Sequence, residues 1–100
     1  MLLLHEVALG LVEEARNAIA SGDHDRMRDR IGRAIAAFDE LVSTFETDPA
    51  VDGAGGLLLM YRSCQECLVE VAARRDPEAA QDLVSTLASM REAWAVLAAA

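Results

Sequence analysis

Basic residues are scarce in this chain of 100 residues: lysine is absent, all nine cations are arginine, and 17 acids leave a formal charge of −8 with a pI near 4.5. Charge of that sign excludes nucleic acid and anionic membrane surfaces as principal partners. Aromatic residues make up only 4%, prolines number 2 and glycines 6, while hydrophobic residues reach 53%. The shortage of β-branched and aromatic side chains favours helix over sheet, and so much apolar side chain excludes disorder. Two cysteines, Cys64 and Cys67, are too few for a secreted disulfide framework. Long apolar runs are missing as well. Met1 to Leu4 ends at His5-Glu6, and Ala93 to Ala100 falls well short of the roughly 18 residues a membrane span needs. The expectation is a single soluble cytosolic domain without membrane insertion.

What the chain does contain is apolar periodicity of one kind. Leu4, Ala8, Leu11, Ala15 and Ile19 recur at three- and four-residue steps, with Glu6, Glu13, Glu14 and Asn17 off the stripe. Ser21-Gly22-Asp23 closes this helix and caps the next. Met27, Ile31, Ala34, Phe38, Leu41 and Phe45 form the cleanest stripe. Asp48-Pro49 then reads as an N-cap followed by a first-turn proline, although Gly53-Ala54-Gly55-Gly56 is poor helix material. Leu57, Tyr61, Cys64, Leu68 and Val71 carry the third stripe, which ends at Arg74-Arg75. Asp76-Pro77-Glu78 opens the fourth, carried by Ala80, Leu83, Leu87, Met90, Trp94 and Leu97. Four segments, at about 2–20, 24–46, 50–75 and 77–98, predict an all-α, single-domain, antiparallel up-down-up-down four-helix bundle.

Catalytic constellations are not apparent. A di-iron bundle needs Glu-x-x-His on facing helices, and neither His5 nor His24 follows a Glu at that spacing; both lie near helix ends and read as solvated or capping. Glu13-Glu14 and Glu66 with Glu70 lie off the apolar stripes, so a solvated face outweighs a Mg²⁺ site. Cys64-x-x-Cys67 falls inside a helix, away from the dipole end that activates a thiol, and has no second pair for zinc; core packing is the simpler role. The glycines at 53, 55 and 56 lack the strand and lysine of a phosphate loop. Arg26, Arg28, Arg30 and Arg33 alternate with Asp23, Asp25 and Asp29 as an ion-paired surface. No enzyme, metal or cofactor is expected. Surplus apolar residues remain beside the stripes: Leu3, Leu9, Ile35, Val42, Leu58, Leu59, Val84 and Val96. They either widen the core or form a groove for a partner's amphipathic helix.

Several short runs share one order of residues. They are Leu2-Leu3-Leu4-His5-Glu6-Val7-Ala8 and Ala18-Ile19-Ala20-Ser21-Gly22-Asp23, then the pattern of Ile31, Ala34, Phe38, Glu40-Leu41 and Thr44-Phe45. Ala54, Leu57 and Met60-Tyr61 follow, then Leu68-Val69-Glu70 with Asp76-Pro77-Glu78, and finally Met90-Arg91-Glu92-Ala93-Trp94. In this order the chain resembles the flagellar export chaperone FliS family, small bacterial helical bundles that bind flagellin before secretion. The resemblance covers almost the whole chain. It departs where His5 stands in place of an aromatic, where Glu66-Cys67 replaces an Arg-Arg pair, and in lacking the segment that usually precedes the first helix and packs on the partner-binding surface.

The resemblance implies a cytoplasmic holdase. Its partner is the disordered C-terminal region of flagellin, which would lay apolar side chains into grooves of the bundle and so be kept from polymerising before export. An export-gate component is an open second partner. On this reading Leu3, Ile35, Phe38, Val42, Leu58 and Tyr61 are the expected partner-binding residues, on a monomer or weak homodimer. The competing readings are a structural homo-oligomer that covers its apolar strip with another copy, a divergent helix-binding adaptor with a different partner and, more weakly, a small metal-dependent hydrolase.

Overall fold

The computed structural model describes residues 2–47 and 56–99, and these form four helices: α1 (Leu2–Ser21), α2 (His24–Thr47), α3 (Leu57–Arg74) and α4 (Pro77–Ala99). The stops are local. At the end of α1, Gly22 takes a left-handed φ of 76°. Its N–H then reaches the Ile19 carbonyl at 3.1 Å, and the Asp23 N–H reaches Ala18 at 2.9 Å, which closes the last turn. Asp23 also caps α2, its carboxylate accepting the Arg26 N–H at 3.1 Å. Asp76 does the same for α4, accepting the Glu78 N–H at 2.9 Å ahead of Pro77. Between them α3 ends at Arg75, a left-handed residue whose N–H reaches the Val71 carbonyl at 2.8 Å. At its other end α3 begins after a left-handed Gly56 with no side-chain cap, and the expected start near residue 50 lies outside the described residues.

The helices pack in a ring, α1 against α2 and α4, and α3 against α2 and α4, as short antiparallel connections require. The body measures 42 × 23 × 17 Å. Its core follows the expected stripes on three helices: Met27, Ile31, Ala34, Phe38 and Leu41; Leu57, Tyr61, Cys64, Leu68 and Val71; and Ala80, Leu83, Leu87 and Met90 are all buried. The Phe45 and Leu97 side chains lie outside the described residues.

Helix α1 departs from the expectation. Its buried arc runs through His5, Ala8, Leu9, Val12, Ala15 and Ala18, while Leu4, Leu11 and Ile19 sit half-buried at its edges. The stripe is therefore turned from the one that spacing alone picked out. Because α1 packs on both α2 and α4, it needs a wide apolar arc, and the small Ala8, Ala15 and Ala18 let its neighbours approach closely. Polar ties cross the outside of the ring. Arg30 of α2 pairs with Glu14 of α1, Arg16 of α1 donates to Gln81 of α4 at 2.8 Å, and Gln65 of α3 donates to Asp39 of α2 at 2.6 Å.

Candidate functional site

The pair α3 and α4 makes the least extensive contact in the ring, and a groove opens along it. Its volume is about 460 Å³, and its lining is mostly apolar. One wall is Leu59, Met60, Ser63, Cys64 and Cys67 of α3; the other is Ala79, Leu83 and Thr86 of α4, with Glu70 and Asp82 supplying carboxylates. Because the helices run antiparallel, Leu59 and Met60 meet Thr86 at one end, and Cys67 and Glu70 meet Ala79 and Asp82 at the other. Such a trough, open to solvent and apolar within, is shaped to take side chains from an amphipathic segment. Leu59, 70% exposed, stands on its rim.

The expected partner-binding residues divide into three kinds of place. Leu3 is 74% exposed on α1, while Ile35, Val42 and Leu58 are half-buried against the core from α2 and α3. Phe38 and Tyr61 have no exposed surface; their rings pack at 5.8 Å between centroids inside the bundle, where a partner could be affected by them only through the wall they support. None of the six lies among the residues lining the α3–α4 groove. The sequence signal for that groove is the surplus Leu59 together with Cys67, for which position inside a helix predicts core packing. Cys64 is buried as expected, but Cys67 is exposed on the groove wall, because a residue three places along a helix lies about 60° further round. Burial pushes the Cys64 thiol up to about 11, the neighbouring Cys67 adding to the shift, so Cys64 is an inert wall group.

The histidines also differ from expectation. His24 is half-buried at the start of α2, and His5, expected at the surface, is fully buried. Its ring finds two partners that no helical stripe reveals: Nδ1 lies 2.7 Å from the Tyr61 hydroxyl of α3, and Nε2 lies 2.8 Å from the Leu87 carbonyl of α4. Trp94 of α4 donates its indole N–H to the same hydroxyl at 2.8 Å. A carbonyl can only accept, so Nε2 carries the proton, Nδ1 accepts from the Tyr61 O–H, and the Tyr61 oxygen accepts from Trp94. Burial is what holds the imidazole below its ordinary value of 6.5, against the Leu87 bond, which favours protonation. Burial likewise pushes Tyr61 up to about 12 despite the Trp94 bond. Near pH 7 the network is thus uncharged, and it ties three helices together.

Among the described residues no group of three or more His, Cys, Asp or Glu side chains is placed to hold a metal ion. Nor is any described helix long and apolar enough to cross a membrane. No curated protein matches the chain. A family model does, described as the flagellar protein FliS and matched over residues 1–100. The chain therefore belongs to the FliS family, a family of export chaperones for flagellin.

Proposed function

We propose that this protein holds the C-terminal region of flagellin in the bacterial cytosol, with the α3–α4 groove as the principal seat of the bound segment. The observation that carries the reading is the groove itself, a mostly apolar trough of about 460 Å³ at the least packed seam of the bundle. An amphipathic stretch of flagellin lays its apolar side chains between Met60, Cys67 and Leu83, and its neighbouring residues continue over Leu58, Ile35 and Val42 at the α2–α3 edge. Leu3 offers a separate exposed contact on α1. Phe38 and Tyr61 act from beneath, by holding the wall on which the segment rests. Glu70 and Asp82 favour a segment with a basic residue beside its apolar ones.

A disordered segment loses conformational freedom when it binds, so an extended apolar contact is needed to offset the ordering. Covering flagellin's own assembly surface in this way prevents polymerisation before export. The 100 residues act as one binding unit, monomeric or weakly dimeric, and hold no catalytic role. The test is calorimetric titration with the C-terminal segment of flagellin, paired with the Met60→Asp variant. The reading expects saturable binding near 1:1, a negative heat-capacity change, a gain in helicity, and a loss of about tenfold or more in affinity for the variant. Absence of binding together with a concentration-dependent mass would instead favour self-association through the same apolar surface.

A further inference from the structure

The α3–α4 seam is bridged at one end by a side chain that belongs to neither helix. His5 reaches from α1 to the Tyr61 hydroxyl on α3 and to the Leu87 carbonyl on α4, at 2.7 and 2.8 Å. Tyr61 and Leu87 directly follow Met60 and Thr86, which line that end of the groove. One imidazole therefore connects the roots of both walls. We propose that His5 is a proton-operated latch on the α3–α4 groove, holding the walls at their present spacing when neutral and loosening the tie to α3 when protonated. The proposal deepens the chaperone reading and rests on it for its consequence, regulation of flagellin binding.

Hydrogen-bond polarity gives the latch its two states. In the neutral ring Nε2 donates to Leu87 and Nδ1 accepts from Tyr61. Adding a proton turns Nδ1 into a donor, so the Tyr61 hydroxyl has to turn and accept from Nδ1 as well as from Trp94, and its own proton gives up the Nδ1 partner, while the Leu87 bond survives and strengthens. The wall whose tie is rearranged is accordingly α3, which the Trp94 bond still holds to α4 along the least extensive contact in the ring. The charged groups acting on the ring are Arg91 of α4, which opposes an imidazolium, and Glu6 of α1, which favours one. From α3 it meets the uncharged Tyr61, against which α2 packs the Phe38 ring. Burial keeps the ring neutral near pH 7, so the groove at its present width is the resting state and acidification alters that width. By reciprocity, a segment that prefers the present width must make His5 harder to protonate.

The test is nuclear magnetic resonance of the full chain without flagellin between pH 7.5 and 5. The latch expects the His5 ring, the Trp94 indole N–H and the Met60 and Leu83 methyls to shift with one midpoint below 6.5. It expects the last three to lose that response in His5→Gln. In Tyr61→Phe, which keeps the buried ring, the groove methyls should already sit near their acidic positions at pH 7.5. Methyls that ignore the His5 titration, or that respond unchanged in His5→Gln, overturn the proposal. In a second arm the C-terminal flagellin segment is titrated at pH 7.5 and 5.5. Weaker binding at the lower pH, with the His5 midpoint moved down in the complex, supports coupling, whereas equal binding overturns it. If the segment fails to bind at either pH, the chaperone reading of this groove falls, and the first arm still decides the latch.

Discussion

The Tyr61 hydroxyl is a single oxygen atom on which three helices depend, and Tyr61→Phe removes it while leaving the ring packed on Phe38 and His5. Two hydrogen bonds disappear, from Trp94 at 2.8 Å and to His5 at 2.7 Å. Their losses are unequal. Trp94 is half-buried and its indole N–H can turn to water, which limits that loss to about 0.5–1 kcal/mol. His5 has no exposed surface, so its Nδ1 lone pair is stranded, at about 1–3 kcal/mol. The expected destabilisation is about 1.5–4 kcal/mol, equivalent to a fall in Tm of about 6–30 °C for a domain of this size. Urea unfolding followed by circular dichroism measures it, with an unchanged m-value showing that the native surface is preserved. In a His5→Phe background the same substitution should cost far less, since the stranded acceptor is gone. A loss below about 0.5 kcal/mol in the wild-type background, or full additivity of the two changes, would refute the network as a structural tie.

Stability should fall on mild acidification. The unfolded chain binds a proton at His5 near 6.5 and the folded chain only at lower pH, so protons favour unfolding below 6.5. The contribution is fully present above 6.5 and is lost as pH drops through the folded value, at no more than about 1.4 kcal/mol per pH unit, and His5→Phe should flatten this slope in urea midpoints taken at pH 7.5, 6.5 and 5.5. In thiol labelling at pH 7.5, Cys67 should react quickly and Cys64 slowly, because one is exposed and the other is buried with its thiol raised to about 11. A bound flagellin segment should slow Cys67, and an unchanged rate in a saturated complex would remove that segment from the groove. Ile35→Asp and Val42→Asp should weaken flagellin binding with little loss of helix signal. Large unfolding by either change would assign these half-buried side chains to the core alone.

The reasons for success and failure of the sequence reading are visible in particular residues. The stripes of α2, α3 and α4 each have one apolar face flanked by charged residues, so their phase was readable from spacing, and their buried residues follow it. Helix α1 is apolar around more of its circumference, with Leu3, Val7, Leu9 and Val12 beside the chosen stripe, and periodicity alone does not select its phase. Spacing puts Cys64 on the third stripe and Cys67 beside it, but whether a flanking residue is covered depends on the neighbouring helix, and the loose α3–α4 seam leaves Cys67 exposed on a groove.

The number of helices, their caps at Asp23 and Asp76, the stop at Gly22 and the acidic, lysine-free surface follow from the chain itself, because each depends on neighbours within about one helical turn or on composition. So does family membership, which the order of residues carries over its whole length. The burial of His5 is of another kind. A polar ring enters a core only where partners await both of its nitrogens, and those partners stand 56 and 82 residues away. The groove between α3 and α4 likewise depends on how closely two helices approach after the other contacts of the ring are made. Local preference has no access to either distance, so the tertiary structure alone decided where this protein is held together and where it is open.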